Sequence, residues 1–170
     1  MKYWVVAAIL FVNLIFQSAL LPFLQIAGTQ PDTLTVLVVC FGLLGGTGYG
    51  MFTGLSGGLL QDILYGGSIG LNALHYLIIG YLTGLLYERI YVDRFVAPAF
   101  IVFCSSLLRG VLMLGYLYFT RSAVPVNYGF TQVILPEALY TAVFMPFTFY
   151  LMSLLFRQRF MKKRWQFRRR

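Results

Sequence analysis

From Thr33 to Leu64 the chain carries a single charged residue, Asp62. Wound as one helix at 1.5 Å per residue, this stretch would be about 48 Å long, against a bilayer hydrocarbon core of roughly 30 Å. It therefore has to break, and GGTGYG at residues 45 to 50 is where glycine permits it. Two short helices follow, or one spanning and one re-entrant. The rest of the chain has the same character: 59% of its 170 residues are hydrophobic and 11% are charged, with a mean hydropathy of +0.79. That mix lies far outside the range of soluble domains. The sequence is that of an all-α integral membrane protein with no soluble domain of any size.

Apolar runs and their breakers predict six short transmembrane helices, at about 3–24, 33–47, 49–64, 70–88, 95–119 and 131–156, followed by a basic tail at 157–170. Lys2 ahead of an apolar run resembles the start of a signal peptide, but the run from Trp4 to Leu24 is too long for that and has no small-x-small exit. It reads as the first span. Pro136 and Pro146 bend the last one, which is tolerated where neighbouring helices satisfy the freed carbonyls. An even number of spans places both termini on one face. With the termini in the cytoplasm, Lys2, Arg89, Arg94 and the eight basic residues from Arg157 to Arg170 lie inside, and Arg121 stands alone outside. This is the positive-inside pattern. The tail RQRFMKKRWQFRRR reads as an anchor on anionic lipid, or else as a docking arm for a cytoplasmic partner; nothing folded accompanies it that would bind nucleic acid.

Glycine recurs every fourth residue at Gly42, Gly46, Gly50, Gly54 and Gly58. In lipid, small residues at this spacing let two helix backbones approach closely. The expected use is packing within the chain, with a homodimer face as the alternative. A break at 45 to 50 prevents the ladder from forming one continuous stripe.

Within the apolar segments a few polar residues stand out: Asp62, Asn72, His75, Arg109 and Glu137. An ionisable group in a span costs at least about 2.5 to 3.5 kcal/mol on insertion scales, so such groups face the bundle interior or a wet cavity and find partners. Counting helical rise places Asp62, Asn72, His75 and Glu137 in the outer third of the bilayer, with Arg109 deeper by roughly the reach of its own side chain, so that it can pair with Glu137. Asp62 reads either as a cap at a helix end or as a functional group. His75 reads as an interior histidine with its bonds satisfied, or as a proton relay or metal ligand. Arg109 and Glu137 form a structural pair or a ligand-facing one. Asp32, Glu88 and Asp93 lie at or beyond span ends. Cys40 and Cys104 sit in apolar segments without CxxC spacing and read as packing residues. No nucleophile motif, phosphate loop or metal-ligand spacing is present, so neither catalytic residues nor a metal or other cofactor is expected.

The stretch GLSGGLLQDILYGGSIGLNALHYLIIGYL resembles the motif region of the rod shape-determining protein MreD family. In that family a glycine-rich helix ends in a leucine-rich turn with an aspartate, a short glycine loop follows, and the next helix opens with Gly-Leu. The matching positions are Gly58, Leu59, Asp62, Gly67, Gly70, Leu71 and Ala73. The resemblance implies a non-enzymatic scaffold subunit of the bacterial cell-elongation machinery for peptidoglycan synthesis, in the cytoplasmic membrane. Its implied partner is the single-span protein MreC and, through it, MreB, RodA and a class B penicillin-binding protein. The family is also similar in architecture to the substrate-binding subunits of energy-coupling-factor transporters. That similarity keeps open a second reading, a solute- or lipid-binding transporter subunit contacting its ligand through Asn72, His75, Arg109 and Glu137. Against it, the first span has Ala7 and Ala8 but Phe11 and Val12 four residues on, where those transporter subunits carry alanine. A self-associating channel is the weakest reading, since no span shows a repeated polar stripe.

Overall fold

The computed structural model describes residues 3–19, 21–25, 29–65, 70–87, 96–120 and 129–157. Among them there are six α-helices and no β-strand: α1 (Tyr3–Ala19), α2 (Thr33–Gly45), α3 (Thr47–Tyr65), α4 (Leu71–Leu85), α5 (Val96–Phe119) and α6 (Leu135–Arg157). Gly67, the charged residues Lys2, Glu88, Arg89, Asp93, Arg94 and Arg121, and the basic tail beyond Arg157 lie outside the described residues. By length and composition alone, two segments are long and apolar enough to cross a membrane, Val96–Phe119 and Gln132–Phe156. The helices α1, α2 and α4 are shorter and apolar.

Helix α2 is the centre of the bundle. Every residue from Thr33 to Leu43 is buried, as expected for a helix that is apolar all round. Val6 and Leu10 of α1, Tyr76 and Ile79 of α4, Val102 of α5, and Met145 and Phe149 of α6 close around Val36 to Phe41. The other faces carry large apolar side chains outward, among them Trp4, Phe11, Phe100, Val143 and Phe147. A lipid surround makes that arrangement favourable, because hydrocarbon covers what water would not.

The break in the long apolar stretch falls at Gly46, two residues before the expected boundary. Its backbone has φ +88° and ψ −179°, a conformation open in practice only to glycine. Gly46 is therefore a hinge rather than a rung of the helical ladder. The remaining rungs hold α2 and α3 against α4. A Cβ on Gly50 would run into the carbonyl of Gly80, one on Gly54 into the carbonyl of Tyr76, and one on Gly58 into the backbone of Ala73. On α2, a Cβ on Gly42 would meet the side chain of Thr83. This spacing is the small-residue contact of membrane helices, used here inside one chain.

Other boundaries also differ from the sequence expectation. The first helix ends at Ala19, and a single 3-10 turn, Leu21–Leu24, takes its place around Pro22. α4 stops at Leu85, where the cap residue Leu86 donates its N–H to the carbonyls of Thr83 and Gly84. A π-helical turn, Phe130–Ile134, leads directly into α6. Such turns supply local adjustment just before a proline, here Pro136, which has no N–H to donate.

Candidate functional site

At one end of the bundle, the N-termini of α2, α4 and α6 and the C-terminal half of α5 converge. Arg109 of α5 reaches into this region and makes three directed contacts. Its Nε lies 3.2 Å from Asp32 Oδ2, its Nη1 donates to the Tyr76 hydroxyl at 2.9 Å, and its Nη2 pairs with Glu137 Oε1. The Tyr76 hydroxyl donates in turn to Asp32 Oδ2 at 2.8 Å. Guanidinium, phenol and two carboxylates thus form one bonded network spanning four helices.

Asp32 is the hub. It caps α2, its Oδ1 accepting from the N–H groups of Leu34 (3.1 Å) and Thr35 (3.2 Å), while Oδ2 faces Arg109, Tyr76 and the Thr35 hydroxyl. A helix N-terminus favours a carboxylate through its unpaired N–H groups and dipole. Its own N–H donates to Thr141 Oγ1 at 3.0 Å, and that hydroxyl donates to the Glu137 carbonyl at 2.7 Å. Asp32 is only 4% exposed, so it is a buried ion and not a surface cap.

The sequence-selected residues divide into two groups. Asn72, His75, Arg109 and Glu137 line a common cavity of about 220 Å³, whose remaining walls come from α5 and the π-helical turn before α6, including Met113, Leu114, Val133 and Ile134. Asp62 is not part of this wall. It accepts hydrogen bonds from the N–H groups of Gly70 (2.8 Å), Asn72 (3.3 Å) and Ala73 (3.3 Å), and so closes the N-terminus of α4. Gly70, with φ +98°, and Leu71 form the entry to that helix. Of the sequence motif, the described part is thus the hardware of the α3–α4 turn.

His75 is 4% exposed, and its Nδ1 has no hydrogen-bond partner among the described residues. The residues missed in the sequence are Asp32, Tyr76 and Thr141. Asp32 stood at a span end, where a carboxylate reads as a cap; Tyr76 lay one residue beyond the histidine; and Thr141 lay in a run of apolar residues. The available signal was Asp32 followed by two threonines, Thr33 and Thr35, at the mouth of the most apolar helix.

No group of three or more His, Cys, Asp or Glu side chains able to hold a metal occurs among the described residues. Cys40 is buried with its Sγ 3.9 Å from Met145 Sδ, and Cys104 is exposed on the outer face. The chemistry that this arrangement supports is ion pairing and hydrogen bonding in an apolar setting.

Neither a curated protein nor a solved structure matches the chain. The profile of rod shape-determining protein MreD matches residues 1–158, which takes in the whole helical bundle and all of the network just described. On that extent of match, the chain belongs to the MreD family of rod shape-determining membrane proteins.

Proposed function

We propose that this protein is a non-enzymatic scaffold subunit of the bacterial cell-elongation machinery for peptidoglycan synthesis. It lies in the cytoplasmic membrane as a multi-pass bundle with both termini in the cytoplasm. It binds an MreC-like single-span partner and, through that partner, MreB, RodA and a class B penicillin-binding protein. The observation that carries this reading is the network around Arg109, which joins α2, α4, α5 and α6 and satisfies its charges within the chain. Such a network holds helices in fixed register and leaves an outer surface of defined shape for a partner.

One part of that surface is incomplete on its own. Between α1, α2 and α6 runs an apolar groove lined by Val12, Asn13, Phe16, Thr33 and Phe147 among others. In it Asn13 Oδ1 and Thr33 Oγ1 are buried without a hydrogen-bond partner among the described residues. The exposed apolar side chains of Val12 and Phe147 offer a surface to a membrane helix, and this groove is where the MreC-like span docks in our reading. Affinity purification from native membranes, with single cysteines at Val12 and Phe147 for crosslinking, tests it. An MreC-like protein crosslinked at these positions is the expected result. Retention of no elongation-machinery protein by a folded chain would defeat the scaffold reading.

The cavity beside Arg109 favours a second reading, a subunit that binds a lipid or solute. The inferred similarity to energy-coupling-factor binding subunits belongs with this reading. Its support is the combination of Asn72, His75, Arg109 and Glu137 with apolar walls in one space.

A further inference from the structure

Helix α5 is packed along only part of its length. Its buried residues, Pro98, Val102, Ser105 and Ser106, all lie in the N-terminal half, while every residue from Leu107 to Thr120 is at least partly exposed. Among the described residues nothing lies within 4 Å of a Cβ position at Gly115. What this half borders is the cavity of about 220 Å³, whose lining brings Asn72 and His75 from α4 together with Met113, Leu114 and Leu117 from α5.

The other contact of α4 is of a different kind. A Cβ at Gly54 would strike the Tyr76 carbonyl and one at Gly58 the backbone of Ala73, so α3 and α4 meet backbone to backbone. They cannot part without losing dense packing along the whole seam. Arg109, by contrast, joins the C-terminal half of α5 to α2 and α4 through the tips of side chains, at Asp32 and Tyr76. Bonds of this kind open at single points, and with no buried residue beyond Ser106 their opening uncovers little apolar surface.

The π-helical turn Phe130–Ile134 is fitted to the same half of α5, since a Cβ at Gly110 would run into the Ile134 side chain. Helices bend at proline, at Gly/Ser pairs and at π-turns. In α5 the pair Ser105–Ser106 stands where burial stops, and in α6 Pro136 follows the π-turn directly. Both ends of the loosely packed unit therefore carry a place to bend.

We propose that residues 107–119 of α5 and the π-helical turn form a gate beside the cavity, hinged at Ser105–Ser106 and at Pro136 and latched shut by Arg109 on Asp32, Tyr76 and Glu137. With the latch released, the gate swings away from α4 as one body and opens the cavity. The inference is independent of both functional readings above. The α5 part of the gate is about 20 Å long, so a bend of about 20° at its base moves its tip by about 7 Å.

The test measures distances between nitroxide pairs on the full chain in lipid nanodiscs by double electron–electron resonance. Cys104 is replaced by serine, and Cys40 is fully buried and stays unlabelled. One pair, at Leu74 and Tyr118, spans α4 and the gate; the other, at Ile63 and Leu74, spans the glycine seam; all three side chains are exposed. In the wild type both pairs give one main distance. Arg109→Gln is expected to move most of the Leu74–Tyr118 population to a longer distance and to leave Ile63–Leu74 unchanged. Tyr76→Phe is expected to raise the ratio of long to short about tenfold, the factor for one hydrogen bond to a charged group. A Leu74–Tyr118 distribution in Arg109→Gln identical to that of the wild type overturns the proposal. So does a lengthening of both pairs together, which would make the network a brace for the whole bundle and not a latch on one part. Should Arg109→Gln fail to fold, Tyr76→Phe decides: a long-distance fraction no greater than in the wild type overturns the gate.

Discussion

Arg109 Nε stands 3.2 Å from Asp32 Oδ2, so the carboxylate that caps the central helix also holds the cation of α5. Its two oxygens divide the work, one serving the helix N-terminus and the other the guanidinium and the Tyr76 hydroxyl. Removing the cation leaves Asp32 and Glu137 buried without it, whereas removing one acid leaves a pair intact.

Arg109→Leu is accordingly expected to be the most damaging single change in the network, at about 3 to 5 kcal/mol, the cost of breaking a buried ion pair from one side. Reversible unfolding in detergent micelles measures it. In a double-mutant cycle with Asp32→Asn, the two losses should fall well short of adding, because both break the same contact.

Tyr76→Phe removes a hydroxyl that accepts from Arg109 and donates to Asp32. Hydrogen bonds between membrane helices average about 0.6 kcal/mol with a maximum near 1.7, and bonds to charged groups lie at the upper end. A loss of about 1 to 2 kcal/mol is expected, with helix content unchanged by circular dichroism. Because the substitution preserves the ring's packing, a loss well above about 2 kcal/mol would refute the assignment of the effect to these two hydrogen bonds.

Gly54→Val should separate α3 from α4, since even a Cβ would strike the Tyr76 carbonyl. Backbone cannot move aside as a flexible side chain can, so the expected cost is about 3 kcal/mol or more, at or beyond the usual range for overpacking. Gly48→Ala is the control: among the described residues nothing lies within 4 Å of its Cβ position, and the exchange should be neutral or stabilising by up to about 1 kcal/mol. Equal unfolding midpoints for the two variants would refute the close-contact account of the ladder.

Asp62→Ala deprives three N–H groups at the start of α4 of their acceptor. The expected loss is about 1 to 2 kcal/mol, the upper part of the range for helix caps. Because Asp62 is apart from the cavity wall, the folded variant should keep the network around Arg109 intact. Asp62→Asn, which keeps an acceptor, should recover part of the stability.

Local sequence carried much of this architecture. The charge-poor run from Thr33 to Leu64 demanded a break, and glycines between 45 and 50 offered the place; the four-residue glycine spacing announced close helix contact; and helical rise alone put Arg109 within reach of Glu137. These are consequences of periodicity and length, which a single chain displays along itself. The tertiary structure decided which helices meet. It drew Asp32 from a span end into the hub, set Asp62 to cap α4 outside the cavity wall, and made Tyr76 and Thr141 the links from Asp32 to Arg109 and Glu137. A carboxylate beside a helix start is a cap wherever it occurs. Whether it is also the partner of a buried arginine depends on the packing of helices far apart in sequence, and no local pattern encodes that.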